Sequence, residues 1–141
     1  MKINYKKLSI FILIPLILGI IVGLITTKNS NIESILPPIV FPIVWTILYT
    51  LMGISSYLVY KETNEIPKIY ISQLIVNLIW PFIFFKFELF TLAFIWILLL
   101  ILLVIIMIKD FLSKNNLAGY LQIPYLIWLV IAAILNLTFI I

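Results

Sequence analysis

The stretch FTLAFIWILLLILLVIIMI, residues 90–108, decides the class of fold. It contains no charged residue, and a helix needs about 20 apolar residues to cross the hydrocarbon core of a bilayer. The whole chain has the same character, because 65% of its 141 residues are hydrophobic and only 10% are charged. A soluble domain is roughly half apolar and a quarter charged. The composition therefore predicts an integral membrane protein and excludes a soluble enzyme, a nucleic-acid-binding module and a disordered region.

Charged and proline-rich breaks divide the chain into five apolar blocks of helical length. A transmembrane β-barrel would instead need alternating segments of about ten residues. We predict an all-α membrane protein in which residues 1–141 form one domain, a bundle of five transmembrane helices. The predicted spans are residues 8–25, 41–60, 69–85, 90–108 and 117–141. The first block also resembles a signal peptide, but it is longer than a usual signal core and no small-x-small cleavage site follows it. We expect it to be retained as a span.

The lysines predict an orientation for the bundle. With five spans, seven of the nine basic residues fall on one side, and only Lys28 and Lys86 fall on the other. The positive-inside rule then places the N-terminus in the cytoplasm and the C-terminus outside. Richness in Lys, Ile and Asn suggests a bacterial source, and hence a bacterial cell membrane. The first loop, residues 26–40, falls outside, where a lid over a site and a plain linker are equal interpretations.

Polar, small and aromatic residues recur at helical spacing in four of the blocks, and in lipid such faces turn toward other helices or a cavity. The fourth block is almost uniformly Ile, Leu and Val, so we expect it to be the peripheral, lipid-facing helix. The stripes are Pro15, Gly19, Gly23 and Thr26 in the first block; Trp45, Tyr49, Gly53, Ser56 and Tyr60 in the second; Tyr70, Gln73, Asn77, Trp80 and Phe84 in the third; and Tyr125, Trp128, Ala132 and Asn136 in the fifth.

These stripes have more than one interpretation. They can serve helix packing, with the amides hydrogen-bonded across interfaces. They can also line a pocket for a flat, mostly apolar ligand, because ligand sites combine aromatic walls with a few polar groups. An aromatic belt at the membrane surface is a further explanation for Trp45, Tyr60 and Trp96, which lie near predicted helix ends.

Conventional catalytic groups are missing from the sequence. It has no Cys and no His, and its five acidic residues fall at span ends or in loops. An ion-coupled exporter would need a carboxylate inside the membrane. No base is placed to activate a Ser, Thr or Tyr hydroxyl. We therefore expect a binding protein that requires no cofactor and no metal, rather than a conventional enzyme.

Three blocks in order resemble the motifs of the TspO/MBR family, the tryptophan-rich sensory proteins and translocator proteins. The first is PPIVFPIVWTILY, residues 37–49, followed by Met52-Gly53. The second is QLIVNLIWP, residues 73–81, with Phe84-Phe85. The third is AGYLQIPYLIW, residues 118–128, with Ala132 and Leu135-Asn136. The resemblance covers nearly the whole chain.

The resemblance implies a five-helix bundle with a pocket opening toward the first loop. It implies binding of protoporphyrin IX or another tetrapyrrole, of synthetic benzodiazepine-type ligands and of membrane lipid, in a homodimer. It also implies that Trp45 and Trp128 would act in light-dependent porphyrin degradation, if such chemistry occurs. Carried over by position and matched to the stripes, the predicted ligand-binding residues are Trp45, Tyr49, Asn77, Trp80, Phe84, Tyr125, Trp128 and Ala132.

The chain departs from the family pattern at three places. Ile39 stands where many members have Trp, and Trp96 replaces an acidic residue of the fourth helix. The residues after Asn136 lack the Tyr and the basic residue of the steroid-recognition stretch of animal members, which argues against sterol binding through that element. The leading hypothesis is a porphyrin receptor, and the alternatives are a transporter of tetrapyrroles or lipids and a regulatory membrane subunit.

Overall fold

A computed structural model describes residues 2–28, 30, 32–33 and 35–141 of the chain. Within these residues the secondary structure is helical and contains no strand. Five helical segments are long and apolar enough to cross a membrane, which confirms the predicted fold class. The helices are α1 (Tyr5–Thr27), α2 (Val40–Thr63), α3 (Lys68–Pro81), which continues as a π-helical turn (Phe82–Lys86), α4 (Phe90–Lys114), α5 (Asn116–Tyr120) and α6 (Ile123–Leu137).

The ends of the last two helical segments differ from the approximate ends of the predicted spans. The fourth helix continues past residue 108 to Lys114. The fifth span is two helices, α5 and α6, and α6 ends at Leu137 rather than at 141. Pro124 explains the break, because a proline at the start of a helix has no N–H to donate to the preceding turn. The helix therefore restarts after Leu121 and Gln122.

The helices form a closed ring in the order α1, α2, α5 with α6, α4, α3 and back to α1. Helix α4 packs against α3, α5 and α6, whereas α2 and α6 meet chiefly through aromatic side chains. The N-terminus lies beside the end of α2, where the Asn4 N–H donates to the Tyr57 hydroxyl at 2.7 Å. The end of α6 lies beside the start of α4. The two termini are therefore at opposite ends of the bundle.

The prediction that the fourth helix is the peripheral one was wrong. Helix α4 buries a seam of residues at alternating spacings of three and four, which is the pattern of packed helices. Helix α1 buries only Pro15 and Thr26 and is the most exposed helix of the five spans. An all-apolar sequence carries no polar marker for its buried face, so the seam could not be distinguished. The seam of α4 is Ala93, Ile97, Leu100, Val104, Met107 and Phe111.

Helix α1 is held against α2 by close approach rather than by a large buried face. A Cβ atom on Gly53 would overlap the backbone of Ile12, so only glycine permits this distance. The ring of Phe11 packs against Tyr57 and Tyr60, with centroids 5.7 and 5.2 Å apart. This contact holds α1 along α2, while Tyr49 and Trp45 of α2 also contact α3 and α6.

Candidate functional site

A continuous chain of hydrogen bonds joins α2, α3 and α6 inside the bundle, and we call it the amide–tyrosine network. The Tyr49 hydroxyl donates to Asn77 Oδ1 at 2.6 Å, and Asn77 Nδ2 donates to the Tyr125 hydroxyl at 2.7 Å. The Tyr125 hydroxyl donates to Gln73 Oε1 at 2.9 Å, and Gln73 Nε2 donates to the Tyr70 carbonyl at 3.0 Å. In every bond the donor is the group nearer Tyr49, and the acceptor is the group nearer the Tyr70 carbonyl.

The amide–tyrosine network is buried and each of its polar side chains has a partner. Gln73 is 0% exposed and Asn77 is 2% exposed. An unpaired polar group in such a place costs about 1–3 kcal/mol, so the partners are needed for stability. Helix α2 contributes Tyr49, α6 contributes Tyr125, and α3 contributes the two amides that connect them. The network therefore fixes the relative rotation of α2, α3 and α6, which agrees with the packing interpretation of these residues.

A second group of aromatic side chains lies beside the network, around Trp45 of α2 and Trp128 of α6, which we call the tryptophan pair. The Trp45 ring stacks on Tyr49 with centroids 5.4 Å apart, and it meets the Tyr125 ring edge-on at 6.3 Å. Phe41 contacts the other side of Trp128 with centroids 5.9 Å apart. Four of the predicted ligand-binding residues thus converge at the junction of α2 and α6.

The tryptophan pair is closed in this structure. The two indole rings are perpendicular, with centroids 6.5 Å apart and an interplanar angle of 89°. A flat molecule held between two rings needs about 3.5 Å on each face and parallel ring planes. A planar ligand would therefore have to separate and rotate Trp45 and Trp128. Trp45 is only half-buried.

Trp80 and Phe84 belong to a different group, the phenylalanine cluster, which also contains Phe85, Phe90 and Phe139. Trp80 stacks on Phe84 with centroids 4.8 Å apart, and its indole N–H donates to the Ala93 carbonyl at 3.1 Å. Phe84 in turn meets Phe90 and Phe139 at 5.2 and 5.3 Å. The π-helical turn after Pro81 carries Phe84 and Phe85. The structure thus places Trp80 on α3 and Phe84 on its π turn, against the start of α4, with no described ring contact to the tryptophan pair.

Helix α6 connects the tryptophan pair to the phenylalanine cluster. Trp128, Ala132 and Asn136 follow one another at intervals of four residues and all three are buried. The Asn136 side chain donates through Nδ2 to the Phe90 carbonyl at 3.0 Å. Ala132 is the small residue between the two polar side chains.

Three buried side chains in the described part of the chain have polar atoms without a hydrogen-bond partner. They are the indole Nε1 of Trp128, Oδ1 of Asn136, and both amide atoms of Gln122 at the break between α5 and α6. Nearly all buried polar groups in proteins are paired, so unpaired ones mark places where a water or a ligand can bind. Two of these side chains lie on the same face of α6 as Ala132.

Two open grooves occur on the surface away from the tryptophan pair. One, of about 400 Å³, is lined by residues 88–92 with Phe139 and Ile140. The other, of about 760 Å³, lies where the loop after α2 meets the end of α4 and contains the Lys114–Asp110 ion pair at 2.9 Å. Neither groove is lined by a predicted ligand-binding residue.

The structure adds side chains that the predicted site did not include. Gln73 completes the amide–tyrosine network, and Phe41 covers Trp128. Gln73 and Asn136 lie in the predicted stripes, one turn from Asn77 and Ala132, and that spacing could have brought them into the site. Nothing in the sequence distinguishes Phe41 from its neighbours or shows that Gln122 is unpartnered.

The fold and the site define a class: an integral membrane protein of five helices with an aromatic and amide core between its second, third and fifth spans. The TspO/MBR family model matches residues 11–141, and the chain therefore belongs to the TspO/MBR family. No curated protein matches the chain significantly. Membership supports a role in the binding or transport of tetrapyrroles or sterols in a membrane.

Proposed function

We propose that this protein is a membrane receptor for porphyrins, with protoporphyrin IX as the first ligand to test. One observation carries the proposal: Trp128 presents a buried indole N–H with no partner, directly across the α2–α6 junction from Trp45. A ligand that stacks on the indoles and accepts this hydrogen bond would satisfy both features at once. Porphyrins offer a wide flat face for stacking and acceptor groups at the ring edge.

The ligand would enter at the end of the bundle where α2 begins. Ile32 of the first loop is partly buried against the hydrophobic core there, so this loop would cover the entry. The half-buried Trp45 would swing away first, and the porphyrin would lie against Trp128. Ala132 would form the floor, and Trp80 and Phe84 would extend the aromatic wall.

The amide–tyrosine network would then act as the inner wall of the site. Asn77 uses one of its two amide hydrogens and one bond to its carbonyl oxygen within the network. An amide can donate twice and accept twice, so Asn77 retains the capacity to orient a polar edge of the ligand. Tyr49 and Tyr125 would contribute ring faces. The ligand need not break the network in order to bind.

Titration of the purified protein with protoporphyrin IX, followed by tryptophan quenching, tests the proposal. We expect saturable binding that weakens in Trp45→Phe and Trp128→Phe. Trp96→Phe is the matched control, because the Trp96 indole donates to the Val76 carbonyl at 2.8 Å and lies on α4. Absence of saturable binding in the wild-type protein would refute the receptor.

Illumination of the complex separates a receptor from a photochemical enzyme. If porphyrin is consumed in light and air, we propose that Trp128 acts as an electron partner, and Trp128→Phe should then slow the consumption at equal ligand occupancy. Unchanged decay would remove the indole from the mechanism. Flux of porphyrin across proteoliposome membranes would instead favour the transporter alternative.

We also propose that the protein works as a homodimer in a bacterial cell membrane with its N-terminus in the cytoplasm. Support for the orientation comes from the end of the bundle that carries Lys7 beside Tyr60 and the Lys114–Asp110 pair. That end holds most of the lysines, and lysines favour the cytoplasmic side. Two variants, one with a single cysteine at position 2 and one with a single cysteine at position 141, test the orientation when intact cells are labelled with a thiol reagent. Reagent access to position 2 only would contradict it.

A further inference from the structure

The side chain of Asn136 has a free hydrogen-bond acceptor inside the bundle, near the end of α6. Asn136 is 1% exposed, and its Oδ1 atom has no partner. The two atoms of an amide can be exchanged by a flip, so the orientation needs a chemical argument. Here Nδ2 lies 3.0 Å from the Phe90 carbonyl oxygen, which can only accept. A flipped amide would place two acceptors in contact, and Oδ1 is therefore the free atom.

The free acceptor of Asn136 and the free donor of Trp128 lie along one face of α6. The two residues are eight positions apart, which corresponds to about 12 Å along a helix axis. Ala132 lies midway between them at the same four-residue spacing, and it is buried and small. A long, flat ligand lying on Ala132 could reach both side chains. It would meet a donor at one end and an acceptor at the other.

The surroundings favour an uncharged ligand group. The buried polar residues of the described chain are Thr26, Ser55, Ser56, Gln73, Asn77, Gln122 and Asn136, and all are neutral. An ionised carboxylate would pay a large desolvation cost without a buried cation to meet it. It would also turn an oxygen toward the free oxygen of Asn136. A hydroxyl group or a protonated carboxyl group can donate there at no such cost.

We propose that Asn136 selects the ligand, because its Oδ1 accepts a hydrogen bond from a neutral donor at the ligand edge. The site then prefers hydroxyl or protonated carboxyl groups over esters and ionised carboxylates. This inference rests on the proposed porphyrin receptor and names the kind of edge group that the receptor recognises. Asn136 acts through ligand contact, whereas Asn77 is held within the amide–tyrosine network.

Two porphyrins with the same ring test the selection: mesoporphyrin IX dimethyl ester, which only accepts at its edge, and the diol in which both propionates are reduced to hydroxypropyl groups. One neutral hydrogen bond corresponds to roughly three- to tenfold in affinity. In lipid nanodiscs, we expect the ratio of the diol affinity to the ester affinity to be higher by this factor in the wild-type protein than in Asn136→Leu. Taking the ratio of ratios removes the different partitioning of the two porphyrins into lipid.

Two control variants separate selection from folding. Gln122→Leu removes another buried and unpartnered amide at the opposite end of α6, and it should keep the wild-type preference. Trp128→Phe removes the donor, so it should weaken both porphyrins alike and also keep the preference. If Asn136→Leu no longer binds the ester, Asn136→Ala is used in its place, because it also lacks the acceptor and has a smaller side chain.

The possible outcomes are distinct. A preference for the diol that disappears in the Asn136 variants and persists in Gln122→Leu supports the selection. Saturable binding of both porphyrins with the same ratio in wild type and Asn136 variants overturns the selection and leaves the receptor intact. Failure of every porphyrin, including protoporphyrin IX, to bind the wild-type protein overturns both proposals.

Discussion

The amide–tyrosine network and the face of α6 that carries Trp128 and Asn136 are built from the same kinds of residue, yet they differ in how completely their hydrogen-bonding groups are paired. In the network, Asn77 has a tyrosine hydroxyl on each side, from α2 and from α6. On α6, Asn136 and Trp128 each leave a polar atom without a partner. Both regions are buried, so solvent does not account for the difference. The satisfied region holds the helices together, and the unsatisfied region presents polar atoms with no protein partner to a ligand.

Removing the central amide of the network should have the largest effect. Asn77→Leu leaves the buried Tyr49 hydroxyl without an acceptor and takes a donor from Tyr125, so we expect the free energy of unfolding to fall by roughly 2–4 kcal/mol. Asn136→Leu loses one bond but also removes a free oxygen, and we expect a loss of about 1 kcal/mol or less. Unfolding by SDS titration in mixed micelles measures both. Equal losses would show that the two regions do not differ.

A second test disturbs the network from outside. A Cβ atom on Gly19 would overlap the Tyr49 ring and push its hydroxyl away from Asn77. We expect Gly19→Ala to lower the free energy of unfolding by about 1–3 kcal/mol, as overpacking does. Gly23 lies one turn along the same helix with nothing within 4 Å of an added Cβ. Gly23→Ala should be neutral or slightly stabilising in the same titration. A large loss in Gly23→Ala would mean that α1 itself, rather than its contact with Tyr49, responds to the methyl group.

A third test compares two tryptophans whose indole N–H groups differ. Trp96 donates to the Val76 carbonyl, whereas Trp128 has no partner. Trp128→Phe should weaken protoporphyrin IX about three- to tenfold, which is one hydrogen bond, and should cost less stability than Trp96→Phe. Trp96→Phe should leave the porphyrin affinity unchanged. Both exchanges replace an indole by the same phenyl ring, at a buried position for Trp128 and at a partly buried one for Trp96. The reverse ranking in fluorescence titration and unfolding would contradict the assignment.

The smallest expected effect is at Gln122. Both of its amide atoms are buried and unpartnered, so Gln122→Leu should change the free energy of unfolding by only about 1 kcal/mol or less, in the stabilising direction. Gln73→Leu exchanges the same side chains within the network and leaves the Tyr125 hydroxyl without an acceptor. It should be clearly destabilising in the same measurement. A destabilising Gln122→Leu would reveal a partner for this amide.

The five spans and the inner faces of three of them could be predicted from the sequence. Tyr49, Asn77, Tyr125 and Trp128 all lie in the predicted stripes, and all are buried. Such stripes are easy to recognise in a membrane protein, because polar and aromatic residues differ clearly from the apolar residues around them. The buried seam of α4 could not be recognised in this way, because the whole helix is apolar. Ile97 and Leu100 of the seam face the core, whereas Leu98 and Leu99 face outward.

Which polar residues are paired within the network and which are left unpaired could not be predicted, because this depends on contacts between distant parts of the chain. Asn77 and Asn136 look alike in sequence, since each lies in a stripe that contains a Tyr and a Trp. Only the fold gives Asn77 two tyrosines, 28 and 48 residues away, and gives Asn136 a backbone carbonyl. Local spacing also did not show that Trp80 would pack into the phenylalanine cluster rather than against Trp45.

The central claim is that the unpartnered atoms of α6 mark the ligand site, and the indole N–H resonances test it most directly. The protein labelled with ¹⁵N-tryptophan has four indole groups, which single Trp→Phe variants assign. On addition of protoporphyrin IX, the Trp128 resonance should move downfield as its N–H gains an acceptor. The resonances of Trp80 and Trp96, already bonded to the Ala93 and Val76 carbonyls, should keep their hydrogen-bonded positions. Saturable porphyrin binding with an unchanged Trp128 resonance would contradict the claim.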